Sequence, residues 1–235
     1  MTLSGLSVTW LGHGTFLLRS PGGRRILIDP WLEGNPSCPE AFKQIDEVDL
    51  VLVTHGHFDH ISDAAAVVAK TGATVVGIFE VCQWLESKGV ATTSGMNKGG
   101  TQEQQGIRIT MVDAKHSSSY VDDGRITYLG EAAGFVLRFE NGLCAYFAGD
   151  TALFGDMRFI KDLYHPSIAF LPIGDFFTMD PVAAAKAAEL LGVKHVIPMH
   201  YGTFPLLTGR PEHLRDLVAP LGVDVIEFQP GQTIE

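Results

Sequence analysis

Cysteine is scarce in this chain. Cys38, Cys82 and Cys144 are the whole supply among 235 residues, odd in number and far apart. None falls in a CxxC spacing, so no disulfide framework is expected and the sequence reads as that of a reduced, cytoplasmic protein. Positive charge is also short, with 17 Lys and Arg against 27 Asp and Glu and a formal net charge of −10. That balance argues against nucleic-acid or anionic-membrane partners, because both need a basic face to neutralise phosphates. No apolar run approaches the roughly 18–20 residues that span a bilayer. The opening Met1-Thr2-Leu3-Ser4-Gly5 lacks a basic segment followed by an apolar one, so no signal peptide is expected. Gly99-Gly100 sits in neither a GxxxxGK[ST] nor a GxGxxG frame, which excludes a phosphate-binding loop there. No Gly-, Ser- or charge-rich linker, tandem repeat or low-complexity stretch divides the chain, so residues 1–235 are read as a single domain. A chain of this length buries most of its unfolded surface and needs no covalent staples.

What the chain does have is strands punctuated by glycine and proline. Segments 6–11, 15–19 and 25–29 are strand-like, separated by Gly12-His13-Gly14 and Pro21-Gly22-Gly23. Residues 49–54, DLVLVT, form the continuous apolar run expected of a strand covered on both faces. A helix over 62–70 with Ser62 as its cap, a strand at 74–78 and a helix at 80–88 follow. Further strands are expected at 107–112, 134–139, 143–148, 168–172 and 195–198, with a closing strand at 223–228. The remaining helices are expected at 156–163, 181–191 and 211–217, the second capped by Asp180 with Pro181 in its first turn. Strands that come in blocks and then alternate with helices describe an α/β protein of two sheets with helices outside them.

The segment Thr54-His55-Gly56-His57-Phe58-Asp59-His60 places three imidazoles and a carboxylate within six residues. Imidazole nitrogen and carboxylate oxygen suit zinc, and also manganese, iron or nickel. Residues two apart point away from each other on a helix, so the spacing fits a loop leaving the 49–54 strand. There His55 and His57 can converge on one ion, with Asp59 and His60 turned toward a second. Three more donors close predicted strands: His116, Asp150 and His200. Donors at the same end of several strands converge on one edge of the sheets, where sites in layered folds collect.

His55-Gly56-His57-Phe58-Asp59-His60, His116, Gly149-Asp150 and Met199-His200 together resemble the metallo-β-lactamase superfamily, and the resemblance covers nearly the whole chain. Trp10-Leu11-Gly12-His13, Ile28-Asp29-Pro30-Trp31, His116-Ser117-Ser118-Ser119, Phe177-Thr178-Met179-Asp180-Pro181 and His200-Tyr201-Gly202-Thr203-Phe204-Pro205 are similar to its metal-dependent hydrolase branch related to L-ascorbate-6-phosphate lactonase. The resemblance implies a four-layer αββα sandwich. It also implies two divalent metal ions, with zinc the first expectation. His55, His57 and His116 would hold one, Asp59, His60 and His200 the other, and Asp150 would bridge them. A bridging hydroxide would then cleave an ester, lactone or phosphodiester of a small-molecule substrate. True β-lactamases of the superfamily place a cysteine or a non-bridging residue where Asp150 stands, and Cys144 lies six residues too early for that role.

Other residues carry softer expectations. His13 is a candidate to orient substrate or donate a proton, against a turn histidine bonded to backbone. Metal-bound water, Asp59 and His13 are the three candidates for protonating the leaving group. Asp29 is expected to orient a metal-bound histidine, although Asp-Pro turn chemistry explains it equally well. Asp175, Tyr201 and Thr203 are candidate substrate contacts. Ser117 to Ser119 lack a serine-hydrolase elbow and are expected to bond backbone or ligand side chains. His165, His195 and His213 read as surface or packing histidines. Competing readings are a non-catalytic metal-dependent binding or regulatory protein, a phosphodiesterase or nuclease acting on nucleotides or RNA, and a redox diiron protein. The acidic charge and absent basic arm count against the second, and the lack of a flavin domain against the third. A homo-oligomer is compatible with the size of the chain.

Overall fold

Runs of aliphatic and β-branched residues between glycines build two sheets. The computed structural model describes residues 3–235. Strands β1 (Ser7–Trp10), β2 (Phe16–Arg19) and β3 (Arg25–Ile28) form an antiparallel meander. β4 (Leu50–Val53), β5 (Thr74–Ile78) and β6 (Thr93–Met96) then add in parallel, each beside the one before. The second sheet begins with the antiparallel strands β7 (Thr101–Gln104) and β8 (Ile107–Asp113), and a separate hairpin follows, β9 (Ser119–Asp122) with β10 (Arg125–Tyr128). The sheet continues through β11 (Ala133–Arg138), β12 (Cys144–Phe147), β13 (Ile168–Pro172), β14 (His195–Met199) and β15 (Asp224–Val225), the last four parallel. Finally β16 (Thr233–Ile234) crosses back to pair with β1, giving the orders β16-β1-β2-β3-β4-β5-β6 and β15-β14-β13-β12-β11-β8-β7.

Strands β4, β12 and β13 are buried along their whole length and β14 is buried beyond the half-buried His195 at its start, as parallel strands covered on both faces must be. Helices α2 (Ala64–Thr71) and α3 (Phe79–Ser87) cover the first sheet. On the second, α5 (Pro181–Leu191) and α6 (Pro211–Val218) cover the strands and α4 (Met157–Tyr164) packs on α5. The two sheets meet through rings: Phe16 of β2 lies edge-on to Phe147 of β12 at 5.7 Å and to Phe170 of β13 at 5.1 Å, all fully buried. Each such pair is worth about 0.5–1.5 kcal/mol beyond its buried area. Helix, sheet, sheet, helix is the four-layer α/β sandwich expected from the sequence.

Three local expectations differ from the structure. Ser62 does not cap α2: its hydroxyl donates back to Phe58 O at 2.6 Å, closing a one-turn helix, α1 (Phe58–Ile61), where the sequence predicts a loop. Asp63 sits at the helix start instead, and its carboxylate accepts from Leu32 N at 2.6 Å rather than from α2. The closing strand shrinks to Asp224–Val225, because only those residues run beside β14 before the chain turns at Pro230-Gly231 toward β1. Asp180 does cap α5, accepting from Ala183 N at 2.7 Å.

Parallel strands bring their C-terminal ends to one edge. Asp29 follows β3 and His55 follows β4 in the first sheet; Asp150 follows β12 and His200 follows β14 in the second. The site forms where these loops face each other.

Candidate metal centre

The local backbone is forced into unusual conformations where the donors emerge. His13, Asp29 and His200 all adopt left-handed φ values, of 55°, 50° and 56°. Such residues cost of order 1–3 kcal/mol each and persist only when their surroundings over-determine them. Gly149, just before Asp150, has φ 61°, and a Cβ there would lie 2.8 Å from Thr54 Cβ. Only glycine lets β12 come that close to the strand carrying His55.

Hydrogen bonds fix which nitrogen of each ring faces inward. Thr54 Oγ1 donates its one proton to Asp29 Oδ2 at 2.7 Å, so toward His55 Nδ1, at 3.0 Å, it can only accept. His55 therefore carries its proton on Nδ1 and turns the Nε2 lone pair into the site. His60 Nδ1 donates to the same Asp29 Oδ2 at 2.8 Å, which leaves Nε2 facing inward. Asp29 Oδ1 accepts from Thr54 N at 2.8 Å, so one fully buried carboxylate orients two candidate ligands. This is the geometry by which a carboxylate sets the tautomer of a metal-binding histidine.

The inward atoms form two groups. His55 Nε2 lies 3.0 Å from His57 Nδ1, and His116 Nε2 lies 3.3 Å from the same atom. Asp59, His60 and His200 form the second group, together with His13. Asp150 Oδ2 stands between them, 2.9 Å from His200 Nε2, 3.4 Å from His60 Nε2, 3.6 Å from His116 Nε2 and 4.0 Å from His55 Nε2. The other carboxylate oxygen, Asp150 Oδ1, is buried without a hydrogen-bond partner, and His60 Nε2 and His200 Nε2 are buried with no polar partners beyond the carboxylates of the cluster. Buried polar atoms without partners are costly, and this donor set fits cations of the zinc or manganese class.

Electrostatics point the same way. Burial lowers the pKa of His55, His57 and His116, keeping these rings neutral and ready to ligate. Burial would also keep His60 neutral, yet Asp150, Asp29 and Asp59 lift its pKa well above the usual range. Three carboxylates around one ring demand positive charge at that point. For Asp150, burial opposes ionisation, but His200 and His60 hold it well below the ordinary carboxylate range.

The remaining predicted residues divide. His13 is fully buried, its Nε2 on Asp59 Oδ2 at 2.9 Å and its Nδ1 on Thr203 Oγ1 at 3.1 Å. Thr203 thus touches His13. Tyr201 stacks on Trp10 at 5.2 Å and does not line the cavity above the histidines. Asp175 lines a different cavity, beside Arg210 and His213, and its Oδ1 accepts from Phe176 N at 2.7 Å. The structure therefore does not bring Asp175 or Tyr201 to the donor cluster. Ser117 Oγ, 3.2 Å from His57 Nε2, holds that ring, while Ser118 Oγ accepts from Gly56 N and donates to Leu129 O. Phe58 and Trp31, which pack edge-on at 5.6 Å beside the site, carried no polar signal in the sequence and were missed. His195 pairs with Asp224 at 3.6 Å, away from the cluster.

Comparison with known proteins points to one family. A family model described as a beta-lactamase superfamily domain matches residues 24–201. A UPF0173 metal-dependent hydrolase of Koribacter versatilis is 53% identical over 233 residues, 99% of each chain. One of Roseiflexus castenholzii is 51% identical over 235 residues, covering 97% of this chain and 96% of its own. Among solved structures, Igni18, a metallo hydrolase of Ignicoccus hospitalis, superposes with a TM-score of 0.86 at 36% identity, covering 97% of both chains.

Proposed function

The chain belongs to the β-lactamase superfamily, among its UPF0173 metal-dependent hydrolases, and we propose that it cleaves an ester, lactone or phosphodiester of a small molecule with the help of two divalent ions. His55, His57 and His116 would hold one ion, Asp59, His60 and His200 the other, and Asp150 would reach both. The observation that carries this reading is the position of Asp150 Oδ2, within 4.0 Å of ring nitrogens from both groups. When bound, a pair of such ions, zinc first among the candidates, supplies Lewis acidity: it lowers the pKa of a shared water so that hydroxide is available near neutral pH, and it polarises the bond under attack.

The protein's own residues do the rest. Asp29 and Thr54 lock the tautomers of His55 and His60, so the donors need no rearrangement. His13 lies beneath Asp59 with no exposed surface, so it cannot reach substrate and acts through that carboxylate. Burial raises the pKa of Asp59, but His60 and the hydrogen bond from His13 outweigh it and keep the group ionised. Asp59 would therefore face the site as a carboxylate that accepts hydrogen bonds, and it is one candidate for passing a proton to the departing oxygen.

Elemental analysis of protein purified without added metal tests the centre. About two equivalents of divalent ion per chain are expected, falling in Asp150→Ala together with turnover of a chromogenic ester. Less than one equivalent, with no gain on reconstitution, would sink the two-ion reading.

A further inference from the structure

The cavity over the donor cluster has a polar floor and apolar walls. It encloses about 730 Å³, and above the histidines it is walled by Phe58, Phe177, Phe204, Pro205 and Leu206. No lysine or arginine is among the described residues that line it. Lys115, beside His116 in sequence, is bound to Asp113 at 2.5 Å, and Lys98 to Asp113 and Glu131 at 2.6 and 2.7 Å. No lysine or arginine side chain therefore offers positive charge to a ligand here.

The walls are built, not incidental. Trp31 holds Phe58 edge-on and packs on Phe204 at 5.8 Å, which fixes one side. On the other side Asp175 and Phe176 take φ of 65° and 57°, two consecutive non-glycine residues in the left-handed region. That conformation is unfavourable for L-residues and needs external support. Support comes from Asp175 Oδ1 on Phe176 N and from Asp175 N donating to Met179 O at 3.0 Å. The turn delivers Phe177 to the mouth of the cavity. Phe58, Phe177 and Leu206 remain 54%, 50% and 50% exposed there, a contiguous apolar surface of the kind that marks a binding site.

Resting on the hydrolase reading above, we propose that the substrate is a neutral ester or lactone whose acyl part is apolar, alkyl or aryl, and lies against Phe58, Phe177 and Leu206. In the reaction the oxygen of water bonds to the acyl carbon and the bond from that carbon to the alkoxy oxygen breaks. The departing oxygen takes one proton of the water, and the carboxylic acid releases the other. A phosphorylated sugar or a nucleotide fits poorly: its anion would face phenyl rings in a chain of net charge −10.

The test uses the metal-loaded protein and a series of 4-nitrophenyl esters from acetate to octanoate, with bis(4-nitrophenyl) phosphate and 4-nitrophenyl phosphate beside them. Alongside, aceto-, butyro- and hexanohydroxamate and AMP are titrated at equilibrium. We expect kcat/KM and hydroxamate affinity to rise about two- to fourfold per methylene as the chain covers the wall. Phe177→Ala and Leu206→Ala should flatten that gradient. A flat series, a preference for the phosphate substrates, or a gradient untouched in both variants would overturn the apolar assignment while hydrolysis itself stands. Graded hydroxamate affinity with no turnover of any ester would support the apolar wall and overturn the hydrolase reading.

Discussion

His13 Nε2 and Asp59 Oδ2 lie 2.9 Å apart, with the imidazole fully buried beneath the carboxylate. A carboxylate held ionised can only accept, so Nε2 carries the proton and His13 donates. The other nitrogen, Nδ1, then accepts from the Thr203 hydroxyl at 3.1 Å. Thr203, His13 and Asp59 form a chain in which the carboxylate sets the tautomer of His13 and the hydroxyl holds the far nitrogen of the ring. A residue expected from the sequence to touch substrate is in contact with His13.

Thr203→Val should therefore lower kcat about tenfold with KM little changed, an effect in the range of lost outer-shell partners. Thr203→Ser should retain most of the activity. The nitrogen chemical shifts of His13 provide a second readout: Nε2–H should persist in both proteins because Asp59 accepts from it, while the Nδ1 resonance should move toward that of an unbonded acceptor nitrogen in the valine variant. An unchanged Nδ1 resonance would reject the role.

The same ring makes acid stability a test. Burial, then the neighbouring His200, depress the His13 pKa from 6.5 to about 4 against the pull of Asp59. Between those values the unfolded chain binds more protons than the folded one, so stability falls as pH drops from 6.5 toward 4 and is unaffected by this group above 6.5. The shift corresponds to on the order of 3 kcal/mol in full. Urea denaturation of chelator-treated protein should show His13→Gln losing less stability than wild type over that window. Parallel curves would show that His13 does not contribute.

Much of the centre was legible because its chemistry is local or recurs at strand ends. HGHFDH is contiguous, and Asp150 and His200 close apolar runs that can only be buried strands. What stayed hidden depends on tertiary contact. Nothing in TQEQ at Thr101–Gln104 announces a strand; it forms because β8 offers an edge, as the exposed alternation shows. The β9–β10 hairpin did carry a signal, Asp123-Gly124 with φ of 49° and 76°, the preferred pair for a two-residue hairpin turn. Asp175 was misplaced for a different reason. Its strand end lies on the right edge, but its side chain is consumed in holding the turn that presents Phe177.

Asp29 is the most economical target for separating the two proposed ion sites. It bonds Thr54 and His60 directly but reaches His55 only through the threonine hydroxyl. Asp29→Asn should weaken the ion held by His60 about 10- to 100-fold and the ion held by His55 less. Competition with a chromogenic chelator would resolve the two steps. Equal weakening of both would place Asp29 outside this orienting role.

Metal removal should expose how much the centre contributes to the fold. Asp59, Asp150 and Asp29 crowd around His60, and the inward nitrogens of His55, His57 and His116 point at one another. Ions that bind only the folded chain stabilise it by mass action, about 4 kcal/mol at a thousandfold excess over Kd. For a chain of this length each kcal/mol moves Tm by about 2–4 °C, so chelation should lower Tm on the order of 10 °C. Zinc or manganese should restore it in wild type but only in part in Asp150→Ala, because the remaining donors form two groups with no shared carboxylate. Full recovery in that variant would mean that the groups bind their ions independently, and the bridging role of Asp150 would have to be abandoned.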